Sequence, residues 1–123
     1  MKNIYTKEIE TKGTLDLNKF LTDMSIVRIS LETDDSLHNT IENLDNKVNT
    51  LIKLIKFQDK AGALKQWQSI FSSLNDLPDR YFSVLNKSSE QNQVLIDKFK
   101  LDPEVEKHIL GIVSQSKSGT LNV

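Results

Sequence analysis

The sequence predicts an α+β chain dominated by helices: a small N-terminal strand–helix–strand unit followed by a bundle of about four helices. Three observations predict it. Apolar residues recur at helical intervals from Leu37 to Ile55. Two earlier segments, 3–12 and 26–32, instead alternate in the two-residue period of a strand. Later segments open on capping residues and on both prolines, Pro78 and Pro103. An all-α bundle with an extended N-terminal arm is the alternative. The 123 residues suit a single domain. It divides into a strand-containing part (1–34), a helical part (35–116) and a loose tail (117–123).

Over residues 3–12, Tyr5, Lys7, Ile9 and Thr11 would face one way and Ile4, Thr6, Glu8 and Glu10 the other. Neither face is cleanly apolar, which fits an edge strand or arm, and Gly13 would end it. Asp16 can cap a short helix whose Leu17, Phe20, Leu21 and Met24 share a face. Val27, Ile29 and Leu31 then alternate with Arg28, Ser30 and Glu32, predicting the second strand.

The period changes after Thr33, Asp34, Asp35 and Ser36, four residues whose side-chain oxygens accept from free backbone amides at a helix start. Leu37, Ile41, Leu44, Val48, Leu51 and Ile55 follow at spacings of four, three, four, three and four. That heptad stripe predicts a helix reaching about Gln58. A second helix is expected over 60–76, with Leu64, Trp67, Phe71 and Leu74 on one face and Gly62 weakening its first turn. Pro78 opens a short helix carrying Phe82 and Leu85. Ser88 and Gln91 have capping-box spacing ahead of Val94, Leu95, Lys98 and Phe99. Asp102-Pro103-Glu104 combines a capping carboxylate, a preset backbone angle and an acid near the positive end of the helix dipole. Val105, Ile109 and Ile112 continue that last helix.

Composition narrows the chemistry. The formal net charge is −1, with both signs mixed along the chain, so no long-range field draws in nucleic acid or an anionic membrane. Cysteine is absent, which excludes disulfides, thiolate metal sites and a cysteine nucleophile. Its absence also favours the cytoplasm. Charges lie where an N-terminal signal peptide would need its apolar run, and no stretch is apolar for long enough to cross a bilayer. The four glycines form no phosphate-cradling loop, and no strained serine elbow is present. Asp34-Asp35 reads as helix capping rather than a catalytic pair. Arg80 is expected to pair locally with Asp76. No catalytic residue, cofactor or resident metal is expected.

The remaining candidates are binding residues. Branched Ile41, Val48 and Ile55 with leucines Leu37, Leu44 and Leu51 match a parallel two-stranded coil, so helix 35–58 could join two copies of the chain. Ile52 and Leu54 widen its apolar face, as in an ordinary core helix. Trp67 and Phe71, with Tyr81 and Phe82 nearby, could anchor a partner or fill the core. Lys53, Lys56 and Lys60 lie on one helical stripe, with Lys47 earlier, and could neutralise phosphates; Asp45 and Asp59 flank them. His38 with Glu42, and His108 with Glu104, each share a helix face and could together hold a metal. Leu121-Asn122-Val123 could add a strand to a partner's sheet.

The expected function is therefore a non-enzymatic protein-binding module: an adaptor, chaperone or inhibitor, engaging another protein, itself, or both. Leftover apolar surface is expected from helix 35–58 or around Trp67. A small nucleic-acid-binding regulator using Lys47, Lys53, Lys56 and Lys60 is the alternative. A metal-dependent enzyme built on His38, Glu42, Glu104 and His108 comes third.

Overall fold

In a computed structural model, residues 3–31, 35–88 and 101–115 are described. They form six helices and no strand. Helix α1 spans Ile4–Lys12, α2 Leu17–Ser30, α3 Ser36–Lys56, α4 Lys60–Asn75, α5 Asp79–Ser88 and α6 Pro103–Gln115.

Short polar side chains start most of these helices. Asn3 accepts from the amides of Tyr5 and Thr6. Asp16 accepts from Lys19 N, Asp35 from Leu37 N, Asp59 from Gly62 N and Asp102 from Glu104 N. Each answers an amide that lacks an intrahelical acceptor. At the other end of α1, Gly13 adopts φ 75°, the left-handed angle that glycine takes without steric cost, and its amide reaches back to Ile9 O.

The heptad helix α3 sits at the centre. Phe57–Asp59 connect it to α4, a link short enough to force the two antiparallel. Lys47 laces them together: its Nζ donates to Ser73 Oγ at 2.7 Å, and its carbonyl accepts from Gln66 Nε2 at 3.0 Å. Helices α2 and α6 also pack on α3, α5 lies on α2, and α1 and α6 lie on α4. Leu37, Ile41, Leu44, Val48, Leu51 and Ile55 face this shared core, together with Ala63, Leu64, Trp67, Ile70 and Leu74 of α4. Val105, Ile109, Ile112 and Val113 of α6 close it. Longer-range polar ties fix the periphery. Asn3 Nδ2 donates to Leu74 O, Leu101 N donates to Asn18 Oδ1, Arg80 pairs with Asp35 and Arg28 pairs with Asp45 at 3.3 Å.

The predicted N-terminal strand unit is not seen. Residues 4–12 are helical, and residues 17–30 form one continuous helix rather than a short helix and a strand. In α1 only Tyr5, Thr6 and Ile9 are buried, too few to print a helical stripe on nine residues. In α2 the difficulty is the reverse. Leu17, Phe20, Leu21, Thr22, Asp23, Met24, Ile26 and Val27 are all buried, because neighbours cover it on more than one side. A helix buried on several faces loses the clean 3.6-residue period. The alternation of Val27, Ile29 and Leu31 was incidental: Val27 is inside, whereas Ile29 is 62% exposed. Arg80 reaches Asp35 at the start of α3 rather than its helical neighbour Asp76. The helices expected at 35–58 and 60–76 stand within two residues of those bounds, and helices open after Pro78 and at Pro103 as expected. The capping box at Ser88–Gln91 with its apolar run, the 117–123 tail and the Leu121–Val123 segment lie outside the described residues, apart from Ser88 as the last residue of α5.

Candidate functional site

The sequence-predicted binding stripe is core. Leu37, Ile41, Leu44, Val48, Leu51, Ile55 and Trp67 are each at most 9% exposed. Phe71 is half-buried, edge-on to the Trp67 ring at 6.1 Å. No apolar face of α3 is left over for a coil with a second chain. The two wide apolar flanks noted at Ile52 and Leu54 pack against the same core.

The aromatic residues that neighbour one another in sequence split into two groups. Trp67 and Phe71 stay together on α4. Tyr81 and Phe82 join Tyr5 and Phe20, with ring centroids 4.9 Å apart for Tyr5–Phe20 and 5.0 Å for Tyr81–Phe82. Within this second group lies a polar relay. Tyr5 donates its hydroxyl proton to Asp23 Oδ2 at 2.9 Å. With that proton committed, the 3.0 Å contact between the two hydroxyls must run from Tyr81 to Tyr5. All three residues are buried. Burial raises the Asp23 carboxyl above its ordinary value, opposed by the Tyr5 hydrogen bond and by Lys19, and reinforced by Asp16. Burial likewise raises both tyrosines. The relay ties α1, α2 and α5 together.

The four metal candidates do not converge. His38 Nδ1 lies 3.9 Å from Glu42 Oε2 near the start of α3. Glu104 and His108 line a cleft beside Ile55 and Lys56 at the other end of that helix. The rise of α3 from residue 38 to residue 55 is about 25 Å. Among the described residues no group of three His, Asp or Glu could hold a metal. The lysines also part company. Lys47 is committed to Ser73, Lys53 is exposed on α3, and only Lys56 and Lys60 meet at the cleft.

That cleft has a volume of about 830 Å³. It lies between the last turn of α3, the first turn of α4 and one side of α6. Ile55, Ala63, Val105 and Ile112 give it an apolar floor. Lys56, Lys60 and Lys107 line it as cations, Asp102 and Glu104 as anions, and His108 stands beside them. Two helix N-termini open near it, but Asp59 and Asp102 already occupy their amides. The cleft is therefore not a ready-made anion cradle.

Its lip is the feature that sequence reasoning missed. Helix α3 ends in a complete Schellman turn: Asp59 N bonds Leu54 O at 2.9 Å, and Gln58 N bonds Ile55 O at 3.0 Å. The pivot is Gln58, a non-glycine residue at φ 59°. The turn directs Phe57 outward, and the residue is 81% exposed. Phe57 stands between Lys56 and Gln58, both of which line the cleft. A left-handed glutamine costs about 1–2 kcal/mol, while glycine there would cost about 0.5–1 kcal/mol in the unfolded chain. Gln58→Gly should therefore stabilise the protein by about 0.5–1 kcal/mol in urea titrations. A loss of stability would mean that the turn is not left-handed in solution.

No protein-family model matches the chain, and neither a curated protein nor a solved structure is significantly similar to it.

Proposed function

We propose that the protein is a non-enzymatic binding module, an adaptor, chaperone or inhibitor, that engages another protein through the cleft at the α3–α4 turn. The supporting observation is Phe57. A phenyl ring left in water forgoes about 1.5–3 kcal/mol that burial would supply. Here the ring is held out by a turn that carries its own backbone strain at Gln58. Strain retained beside an exposed aromatic residue is the pattern of a site shaped for contact rather than for stability. The apolar floor supplies a complementary surface, and the mixed rim supplies polar contacts of both signs. The cysteine-free sequence supports a cytoplasmic setting.

A nucleic-acid role would rest on Lys53, which stands apart, and on Lys56 and Lys60, which share their cleft with Asp102 and Glu104, so the protein-binding reading is preferred. The direct test is a photo-crosslinking amino acid placed at Phe57, with Lys87 on α5 as the control position, irradiated in extract of the source cells. Discrete adducts from position 57, absent from position 87 and competed away by excess unlabelled protein, are expected. Identical patterns at the two positions, or no adduct at all, would remove the basis for the proposal.

A further inference from the structure

Given the cleft as a protein-binding surface, on which this step rests, the geometry points to a second copy of the chain as its occupant. We infer that two molecules associate about a two-fold axis, each inserting Phe57 into the cleft of the other.

A two-fold interface is isologous: one patch must carry both the projecting group and its receptor. This patch does. Phe57 projects from the lip, and Lys56 and Gln58 on either side of it line the hollow. The hollow, about 830 Å³, can admit a phenyl ring and the side chains flanking it, over a floor of Ile55, Ala63, Val105 and Ile112.

Charge argues for the same occupant. Lys56 and Lys60 come from the α3–α4 side, and Asp102, Glu104 and Lys107 from α6 and its start, so cations and anions are mixed around the rim. None of them forms an ion pair with another described residue. A purely acidic or purely basic partner would meet like charges on that rim as well as opposite ones. A copy turned through 180° brings both signs to both signs, and the chain's net charge of −1 adds little repulsion.

The cleft and Phe57 together comprise fewer residues than the roughly 20–30 a side of a standard interface. The dimer is accordingly weak, with a dissociation constant on the order of micromolar to millimolar.

Sedimentation velocity from about 10 μM to about 1 mM tests this. The expected result is a concentration-dependent shift from monomer to dimer. Phe57→Ser should abolish the shift without changing the thermal midpoint. Glu104→Lys, which leaves the Asp102 cap in place, makes the rim predominantly positive and should weaken association about tenfold at low salt. A crosslinker at position 57 should also yield a species of twice the monomer mass in pure protein. A monomer throughout the range, or a dimer indifferent to Phe57→Ser, overturns the inference. If pure protein stays monomeric while position 57 captures a different protein from extract, the dimer falls and the binding module stands. If position 57 captures neither, both fall.

Discussion

Tyr5→Phe is expected to cost about 2–4 kcal/mol of folding stability at neutral pH, and less at pH 4. The substitution removes a single oxygen, but that oxygen serves two buried groups. It donates to Asp23 and accepts from Tyr81. Without it both are stranded, and each buried polar group left unpaired costs about 1–3 kcal/mol, more when charged. The pH dependence follows from the direction of the Asp23 shift. Burial, its largest cause, raises the carboxyl above its unfolded value. The neutral acid is thus the form the fold favours. That contribution is complete below the ordinary carboxyl value and is lost as pH rises through the folded one. Above it the wild-type protein holds an ionised carboxylate stabilised by Tyr5 and Lys19, and Tyr5→Phe deletes the hydrogen-bonded part of that support. Asp23→Asn is the companion. It keeps an acceptor for Tyr5 and removes the charge, so it should match wild type near pH 3 and exceed it once pH has risen through the folded Asp23 value. Urea unfolding followed by circular dichroism at both pH values measures all three proteins. Equal penalties for Tyr5→Phe at the two pH values would contradict an ionised, buried Asp23.

Leu51→Ala should cost about 2–5 kcal/mol, and Leu51→Asp should abolish cooperative unfolding altogether. Leu51 is 1% exposed in the middle of α3, within the core that α3 shares with α4 and α6. Truncation loses the transfer free energy of the removed carbons and leaves a cavity between helices that can only partly close. Aspartate would place an unpaired charge where no partner is available, a change that a domain of this size does not survive. The contrast with Phe57→Ser is informative. If the heptad stripe joined two chains, Leu51→Ala would act mainly on association, and stability would depend on protein concentration. With the stripe as core, the loss is the same at every concentration. Thermal melts of both variants at two concentrations separate these cases.

What could be read from the sequence was what local rules determine. The α3 stripe repeats over six positions, so its helix was evident before any packing was known. Asp16, Asp35 and Asp102 announce helix starts because a cap needs only its own next few amides. The N-terminal segments misled for a related reason. Asn3 is a good cap, but the helix behind it carries little apolar pattern, and α2 carries too much. Their identity is decided by neighbours far along the chain, as Tyr5 with Tyr81 shows. The same stripe that located α3 could not say whether its partner was another helix of this chain or a second molecule. The cleft was harder still. Phe57 follows the apolar pair Leu54-Ile55 after a single lysine, and only the left-handed Gln58, where glycine would be the usual signal, turns it outward. Lys56 and Lys60 were identified as exposed cations, yet the acids facing them sit more than forty residues away, on α6.

The placement of α1 also bears on the order in which the molecule assembles. Beside Phe20 and Asp23 of α2, its contacts are with partners made much later: Asn3 with Leu74, and Tyr5 with Tyr81. During synthesis the earliest helix of this sequence therefore leaves the ribosome before much of its docking surface exists. The α3–α4 hairpin, whose contacts are local, can form in the meantime. Closure of the aromatic cluster waits until α5 has emerged. The seating of α1 is thus a late event of folding, and the relay from Tyr81 through Tyr5 to Asp23 is its fastening.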